Sequence, residues 1–507
     1  MPVLNKRNHW FDLSTPKLLA AIVFISIFTM AVRIPFTSDT WWHLRSGQYI
    51  LENRAILFSD PFSSSKAGQP WIDHSWLAQI LLYLLYTLGG WPALALAVAA
   101  LATLAFWLVW KQLEGNSFIA AFTAILGAIV SSVVWTARPQ MISFLLTAVI
   151  AYLLYRFKYQ QGKLLPWLPL LMLLWANIHG GFAIGLMLLL VYVVGETLNH
   201  LTHHQDDPLV PWSGLKYLLL VSLLSLVVVV INPYTWRMWI YPFQTVGIGA
   251  LRDFIQEWQS PDFHLPYTQP FILMLVLLII ALARAGRRAD WTDLTMLALW
   301  TAWSLFAGRN IAVFGLVAAP ILARYANAAW THQRQLWGYT QLISARSLRP
   351  SLFMSLVNWG LLILIIMAAL VKISIPLLPK TTLQVEQSSE PYYAVEFIRR
   401  EHPPGPMFNS YDWGGYLMFK LWPDYPVYID GRTDLYDDAF IRRYIEVMVA
   451  NDGWQQTLAE DGINLVIVES NSTLARFLEQ EPVWTEVYRD DMAVIFTRKL
   501  MIQPNEP

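Results

Sequence analysis

Eleven apolar stretches, separated by polar connections, dominate this chain. They cover residues 18–35, 91–110, 117–135, 139–155, 164–177, 181–197, 215–231, 269–284, 291–307, 310–324 and 355–376. Most approach the ~20 residues that an α-helix needs to cross the hydrocarbon core of a bilayer. Because 56% of the 507 residues are hydrophobic and 25 are tryptophan, the chain is predicted to be a polytopic α-helical membrane protein with about 11 spans.

Lysine and arginine in the connections predict the orientation. With the N-terminus inside, 15 basic residues, among them Lys6, Arg7, Arg346 and Arg349, lie on the cytoplasmic side and nine on the outer side. Cytoplasmic loops of membrane proteins retain an excess of positive charge. We therefore expect a multi-pass protein of the plasma membrane with a cytoplasmic N-terminus and a C-terminal domain outside the cytoplasm.

The chain divides into two predicted domains. Residues 1–378 form the transmembrane domain, with long outer loops at 37–90 and 232–267, and residues 379–507 form a soluble extracytoplasmic α/β domain. Residues 380–507 carry 11 Lys and Arg against 21 Asp and Glu, an acidic balance that argues against a nucleic-acid partner. The absence of cysteine excludes disulfides and thiolate metal sites.

Local patterns add detail to both domains. Residues 76–88 are apolar but too short to cross a bilayer and end at Gly89-Gly90, which predicts an interfacial helix. Residues 164–197 form one apolar block interrupted at residues 177–181, either a tight outer hairpin between two spans or a broken helix. In the tail, the patterns predict a helix at 393–400, a turn at 403–406 and strands at 426–430, 465–468 and 492–497.

The strongest polar cluster follows the first span. It begins Ser38-Asp39-Thr40-Trp41-Trp42-His43 and continues to Asp73-His74. A carboxylate at the membrane surface can take the proton of an acceptor hydroxyl, while neighbouring aromatic rings stack on a sugar. Asp39 is therefore the candidate base, with Trp41, Trp42, His43, Asp73 and His74 as candidate substrate contacts. The alternative is that the tryptophans anchor the interface and that Asp39 caps the following helix.

Two arginines and a histidine are candidates for phosphate binding. Arg138 begins the fourth span on the outer side, and Arg309 lies in a very short outer turn. A guanidinium group binds phosphate in a bidentate manner, although an interfacial arginine can equally extend to lipid headgroups. His179 could donate to a phosphate, or could simply hydrogen-bond to the backbone.

Several outer carboxylates could bind a divalent cation. Asp39, Asp60, Asp73 and Glu257, with His74, supply the oxygen and nitrogen ligands that Mg²⁺ or Mn²⁺ accepts. Their spacing matches no specific metal motif. Mg²⁺ or Mn²⁺ is therefore a possible cofactor, and Glu257 is also a candidate substrate contact.

Two further polar clusters lie in the tail. The first runs from Tyr411, Asp412 and Trp413 to Tyr416, and the second covers residues 428–434. Both are rich in groups that bind sugars or peptides. For the second, a buried turn is the alternative, with Asp430 and Asp434 in Asx turns and Arg432 in an internal ion pair.

These features together resemble the GT-C superfamily of polytopic glycosyltransferases, which includes protein mannosyltransferases, aminoarabinose transferases and catalytic subunits of oligosaccharyltransferases. The resemblance implies a polyprenyl-phosphate-linked sugar donor and a glycan, lipid or protein acceptor. Asp39 matches the catalytic acid of the first outer loop, although Thr40 stands where one branch has a second acid. Tyr411-Asp412-Trp413-Gly414-Gly415-Tyr416 looks like a variant of the acceptor-binding Trp-Trp-Asp-Tyr-Gly motif.

The predicted function is transfer of a sugar from the lipid phosphate with inversion at the anomeric carbon and with Asp39 as base. Two alternatives use the same architecture. A transporter or flippase of lipid-linked saccharides would need polar residues inside the spans. A non-catalytic membrane scaffold would bind a partner through its outer domain.

Overall fold

The computed structural model describes residues 12–204, 206–339 and 350–499. Lys6, Arg7, Arg346 and Arg349, four of the basic residues behind the predicted orientation, lie outside the described residues. The membrane half contains helices α1 Thr15–Ala31, α2 Ser38–Asn53, α3 Trp76–Trp110, α4 Ser117–Ser131, α5 Gln140–Tyr159, α6 Leu168–Ile178, α7 Phe182–Leu201, α8 Trp212–Val228, α9 Arg237–Gly247, α10 Gly249–Phe254, α11 Gln269–Arg284, α12 Trp291–Phe306, α13 Ile311–Leu336 and α14 Leu352–Leu377.

Each of the 11 apolar stretches coincides with one of these helices, and the remaining three, α2, α9 and α10, lie in the two long outer loops. Of the helices in the described ranges, six are long and apolar enough to cross a membrane, and four more are apolar but shorter. The predicted class, a polytopic helical membrane protein with a C-terminal α/β domain, is confirmed.

Helix α3 contains the predicted interfacial segment. Its backbone leaves the helical region at Gly89 and at Gly90, where φ is 61°. Glycine adopts this left-handed conformation without the steric cost that a Cβ atom would add. Residues 76–88 are therefore a separate helix that joins the following span at a sharp bend.

The chain reverses direction at His179–Gly181. Lys158 near the end of α5 pairs with Glu196 near the end of α7, with Nζ 2.5 Å from Oε1. Ser143 near the start of α5 contacts His179 just before α7, with Oγ 2.8 Å from Nδ1. Since α5 and α7 run in the same direction, α6 between them runs the other way, and the block 164–197 is a hairpin rather than a broken helix.

Buried ion pairs hold the spans together at the end away from the outer loops. Lys158 also contacts Asp290, which precedes α12, at 2.5 Å, and Arg324 of α13 contacts Asp293 at 2.6 Å. Removing one partner from a buried pair leaves an uncompensated charge, which is strongly destabilising. These contacts fix the relative heights of α5, α7, α12 and α13, and therefore also the residues at their opposite ends.

The tail contains α15 Pro379–Ser389, α16 Tyr392–Glu401, α17 Gly414–Leu421, α18 Asp438–Met448, α19 Trp454–Glu460 and α20 Thr473–Leu478, with strands β1 Met407–Asn409, β2 Leu465–Glu469, β3 Trp484–Arg489 and β4 Ala493–Arg498. The sheet order is β1-β2-β4-β3. Strand β1 is parallel to β2, and the other neighbours are antiparallel, with Val466 opposite Phe496. The predicted helix at 393–400 and the strands at 465–468 and 492–497 are therefore present.

The predicted strand at 426–430 is wrong. This segment is buried but irregular, and it joins no sheet. Its backbone instead contacts the first outer loop, where the Ser64 amide donates to the Val427 carbonyl at 2.8 Å and the Val427 amide donates to Phe62 at 3.2 Å. An apolar run indicates burial, but it does not reveal which segment covers it.

Candidate active site

One cavity of about 1620 Å³ lies between the C-terminal domain and the ends of the spans that adjoin the two long loops. Its polar lining comes from distant parts of the chain and includes Asp39, Trp42, His43, His74, Arg138, His179, Glu257, Arg309, Tyr411, Asp412 and Asp434. The remaining wall is largely apolar and comes mainly from α7, α9 and α12. Ten of the fourteen predicted site residues therefore line the same space; Trp41, Asp73, Trp413 and Tyr416 do not.

Asp39 lies in the first turn of α2 but does not cap it. The cap is Thr37, whose amide donates to Thr40 Oγ1 at 3.0 Å. The Asp39 carboxylate instead faces the cavity, where Oδ1 accepts from the Trp42 indole at 3.1 Å and Oδ2 accepts from Arg138 Nη1 at 2.6 Å. The capping alternative for Asp39 is therefore not supported, because Thr37 and Thr40 already perform that role.

Arg138 joins two carboxylates at the cavity wall. Its Nη2 donates to Glu257 Oε1 at 2.6 Å, while Nη1 binds Asp39. Burial by itself would lower the pKa of Arg138 and raise that of Glu257, but the opposite charges prevail, so the pKa of Arg138 is raised and that of Glu257 is lowered. Arg138 and Glu257 are therefore both ionised at neutral pH, and Arg138 orients Asp39.

Arg309 lies in the short turn between α12 and α13. Its guanidinium lies over the Trp258 ring, 4.4 Å from the centroid. Burial lowers the pKa of Arg309, and the charge of Arg138 adds to this effect, although the nearby Glu257 carboxylate opposes it. Within the described ranges, Arg309 forms no ion pair and no side-chain hydrogen bond. It is therefore a cation in the cavity wall whose hydrogen-bond donors remain available to an anion.

His179 is held in one tautomer by its turn. Its Nδ1 accepts from the Gly181 amide at 3.1 Å and contacts Ser143 Oγ at 2.8 Å. Burial and the nearby His74 lower the pKa of His179 well below its ordinary value, so the ring is neutral. Since Nδ1 is an acceptor, the proton resides on Nε2, which can donate to a ligand in the cavity.

The C-terminal domain also contributes an acidic group, Asp434, to the cavity. The Asp434 carboxylate is 4.0 Å from His74 Nδ1, which also contacts the Tyr241 hydroxyl at 2.6 Å. Burial raises the pKa of Asp434 to about 6 and lowers that of His74 to about 3. Tyr241 was not predicted, and Asp434 was considered for a turn; the dense polar cluster around 430–434 was the available signal.

Asp73 lies just behind the cavity wall. It accepts from Gln79 Nε2 at 2.7 Å, and the same amide is 3.4 Å from His43 Nδ1. Burial raises the pKa of Asp73 to about 7, and burial also lowers the pKa of His43 well below its ordinary value. Asp73 therefore reaches the cavity through Gln79 and His43 rather than by direct contact.

Trp41, Trp413 and Tyr416 are packed inside the protein, contrary to the prediction that they contact a substrate or acceptor. Trp41 and Tyr416 have no exposed surface, and Trp413 is 6% exposed. The Trp41 ring lies 4.9 Å from Tyr416, and its indole donates to Glu390 at 2.8 Å. These large aromatic side chains pack where α2 contacts the C-terminal domain, and they join the two.

Glycine residues bring the C-terminal domain close to Asp39. A Cβ atom at Gly431 would lie 2.1 Å from Asp39 Oδ1, and one at Gly415 would lie 2.2 Å from the Ser38 carbonyl oxygen. Contacts this short are sterically excluded. The glycine at 415 thus allows α17 to approach the start of α2.

The predicted cation ligands do not form one site. Asp60 is buried against Arg432, with Oδ1 2.6 Å from Nη1, and Asp73 lies behind the wall. Asp39 and Glu257 both bind the Arg138 guanidinium, which occupies the place between them. Among described side chains, the group close enough to share a cation is His204, Asp207 and Asp290, near the opposite ends of the spans.

The sequence matches no protein-family model and no curated protein. Among solved structures, the Archaeoglobus fulgidus oligosaccharyltransferase AglB, in complex with an inhibitory peptide and a dolichol-phosphate, has a TM-score of 0.53 and 11% identity over 89% of this chain and 69% of its own. ArnT from Cupriavidus metallidurans, in the apo state, has a TM-score of 0.52 and 15% identity over 94% and 97%.

A second ArnT structure, bound to undecaprenyl phosphate, has a TM-score of 0.52 and 14% identity over 94% of this chain and 97% of its own. At these identities the similarity concerns the fold. The arrangement of spans, outer loops and C-terminal domain is shared over nearly the whole chain. The protein therefore has the same fold as AglB and ArnT.

Proposed function

We propose that this protein transfers a sugar from a polyprenyl-phosphate-linked donor to a hydroxyl of a glycan, lipid or protein acceptor at the outer face of the membrane. The observation that carries the proposal is the meeting of Asp39, Arg138, His179, Glu257 and Arg309 in one cavity. These residues lie far apart in the sequence. The similarity in fold to enzymes of the same class supports the proposal.

The donor phosphate is assigned to Arg309 and His179. Arg309 supplies a positive charge, and the Nε2 proton of His179 supplies a neutral donor beside it. Arg138 lines the same cavity, but in this arrangement its N–H donors bind the Asp39 and Glu257 carboxylates. The phosphate is the leaving group, so these donors stabilise the charge that develops in the transition state.

The polyprenyl chain fits the apolar wall. Phe243 of α9 and Phe306 of α12 line the cavity, and 77% and 76% of their surface is exposed. Apolar side chains that are this exposed in a membrane protein are suited to contact with lipid tails. We therefore place the entry route of the donor between α9 and α12, which lets the isoprenoid remain in the bilayer while its headgroup reaches the polar end.

Asp39 is assigned as the general base. It takes the acceptor proton as the hydroxyl oxygen attacks the anomeric carbon and the lipid phosphate departs, in one displacement with inversion. Both Asp39 oxygens already accept hydrogen bonds, from Trp42 and from Arg138. Each carboxylate oxygen has more than one lone pair, so the acceptor hydroxyl can donate to Asp39 beside these two groups.

The residues do not fit a divalent cation in this arrangement, because Arg138 occupies the space between the Asp39 and Glu257 carboxylates. We therefore propose that transfer proceeds without bound Mg²⁺ or Mn²⁺. The test is transfer by protein purified in a chelator, with and without each ion added back. A strict requirement for either ion would show that Arg138 moves aside to admit a cation.

The central test is the Asp39→Asn variant, measured for transfer of radiolabelled sugar from polyprenyl-phosphate donors in reconstituted vesicles. We expect transfer to fall by on the order of 10²–10⁴-fold, with thermal stability nearly unchanged, because asparagine can still accept from Arg138. The matched control is Glu52→Gln on the same helix, where the side chain is exposed. Retained transfer by Asp39→Asn would remove Asp39 from the mechanism, and lipid transport without transfer would favour a transporter.

A further inference from the structure

Arg138 and Arg309, at the polar end of the cavity, differ in how far neighbouring carboxylates already balance their charge. Arg138 donates to both Asp39 and Glu257, so this group of three carries a net negative charge. Arg309 has an aromatic ring as its neighbour and no carboxylate partner within the described ranges. Among the described residues, the polar end of the cavity therefore offers one partly buried cation that has no carboxylate in direct contact.

Glu257 contributes most to this charge balance, because it lies beside both arginines. It binds Arg138 directly, and the adjacent Trp258 packs on Arg309. The segment that contains Glu257 and Trp258 is joined to the turn that contains Arg309, because the Gly308 amide donates to the Gln259 carbonyl at 2.9 Å. A phosphate bound at Arg309 would consequently lie near the Glu257 carboxylate.

We propose that the donor site selects a sugar linked through a single phosphate rather than through a diphosphate, and that Glu257 determines this selection. A sugar phosphodiester carries one negative charge, which Arg309 balances. A diphosphate carries a second charge, which would meet the Glu257 and Asp39 carboxylates instead of a free cation. Juxtaposed like charges in a partly buried site oppose binding. This inference rests on the proposed function, since it concerns the donor of that reaction.

Arg252 is the other arginine in the cavity lining. Its side chain is exposed on α10 at the rim. Water and salt screen an exposed charge strongly, so Arg252 does not balance a second phosphate as an enclosed guanidinium would.

The test compares binding of two synthetic probes, polyprenyl-phosphate-glucose and polyprenyl-diphosphate-glucose, with the same isoprenoid chain. Dissociation constants are measured calorimetrically for the full-length protein in detergent micelles. We expect the wild-type protein to bind the monophosphate at least ~10-fold more tightly, which corresponds to about 1.4 kcal/mol. In Glu257→Gln, we expect this ratio to shrink by a similar factor, mainly because diphosphate binding improves.

The matched control is Asp253→Asn, which removes one negative charge from the same outer segment. Asp253 is paired with Arg442 of the C-terminal domain, with Oδ2 2.6 Å from Nη2, so we expect it to leave the ratio of the two dissociation constants unchanged. Equal shifts in the two variants would show a general charge effect and overturn the role of Glu257.

The outcomes separate this inference from the proposed function. Wild-type protein that binds the diphosphate as tightly as the monophosphate overturns the selection while leaving glycosyl transfer in place. Failure to bind either probe contradicts both. Glu257 is half-exposed, so the variant is expected to fold, and the wild-type comparison tests the selection independently of any variant.

Discussion

At the scale of single residues, the absence of a side chain at Gly431 matters as much as the charge of Asp39. The glycine backbone lies against the carboxylate that we assign as base, and there is no space for a methyl group. Any larger residue would have to displace Asp39 or push the C-terminal domain away. The position of the base therefore depends on a residue almost 400 positions later in the chain.

We expect Gly431→Ala to reduce transfer at least ~10-fold, because a misplacement of the reacting groups by an ångström is sufficient for such a loss. The measurement is kcat for transfer, together with thermal unfolding. Gly360→Ala is the control, because a Cβ atom there meets nothing within 4 Å. Unchanged kcat in Gly431→Ala would show that Asp39 adjusts without consequence.

The burial of Asp73 predicts that the stability of the protein depends on pH. It is fully buried, and within the part of the chain that the structure describes its Oδ2 has no hydrogen-bond partner. Its pKa is about 7 in the folded chain against an ordinary value of 3.8. Between these two pH values the folded state binds more protons than the unfolded state. The contribution of Asp73 to the free energy of unfolding is therefore fully present below about pH 4 and is lost as the pH rises through 7.

We therefore expect Asp73→Asn to be more stable than the wild-type protein above pH 7 and nearly equal near pH 4. The pKa difference corresponds to on the order of 4 kcal/mol. The measurement is the unfolding free energy in detergent as a function of pH. A difference between the two proteins that is the same at every pH would contradict a protonated Asp73 in the folded state.

At the scale of secondary-structure elements, Arg432 joins the first outer loop to the C-terminal domain. It has no exposed surface, and it contacts Asp60 at 2.6 Å and Asp430 at 2.7 Å. The Phe62 and Trp71 rings enclose its guanidinium. The loop also carries His74, and the neighbouring Gly431 touches Asp39. This junction therefore keeps the loop residues and the C-terminal residues of the cavity in their relative positions.

We expect Arg432→Gln to lower the free energy of unfolding by about 3–5 kcal/mol, because two buried carboxylates lose their counter-charge. Arg442→Gln, which breaks only exposed pairs with Asp253 and Asp438, is expected to leave stability unchanged. Adding Asp60→Asn and Asp430→Asn to Arg432→Gln should recover much of the loss. No recovery would show that packing around Arg432, rather than charge, dominates.

At the scale of the whole molecule, the proposed function requires the cavity to face outwards. The chain contains no cysteine, so a single introduced cysteine reports its side of the membrane without ambiguity. Gln456 is exposed in the C-terminal domain, and Gln335 is exposed near the end of α13 that is remote from Arg309. These two positions lie at opposite ends of the protein.

We expect a membrane-impermeant maleimide to label Gln456→Cys in intact cells and to label Gln335→Cys only after lysis. The measurement is the fraction of protein modified, compared with the cysteine-free wild type. The reverse pattern would place the cavity in the cytoplasm and contradict transfer at the outer face.

The sequence by itself determined the class of the protein and the positions of its spans. Apolar stretches of near-bilayer length have few ways to fold other than as membrane helices, because their backbone must satisfy its own hydrogen bonds. The same pattern located the bend at Gly89–Gly90. It also placed Asp39, Arg138, His179 and Arg309 at helix ends, where their side chains can face a common space.

Only the tertiary structure decided which of these side chains meet. Arg138 was predicted as a phosphate ligand, yet it binds two carboxylates, and Trp41 and Tyr416 pack together instead of lining the cavity. Asp434 joins the cavity across more than 350 residues of chain from His74. Such pairings depend on how helices and domains dock, and hydropathy and local spacing carry no information about contacts between segments so far apart.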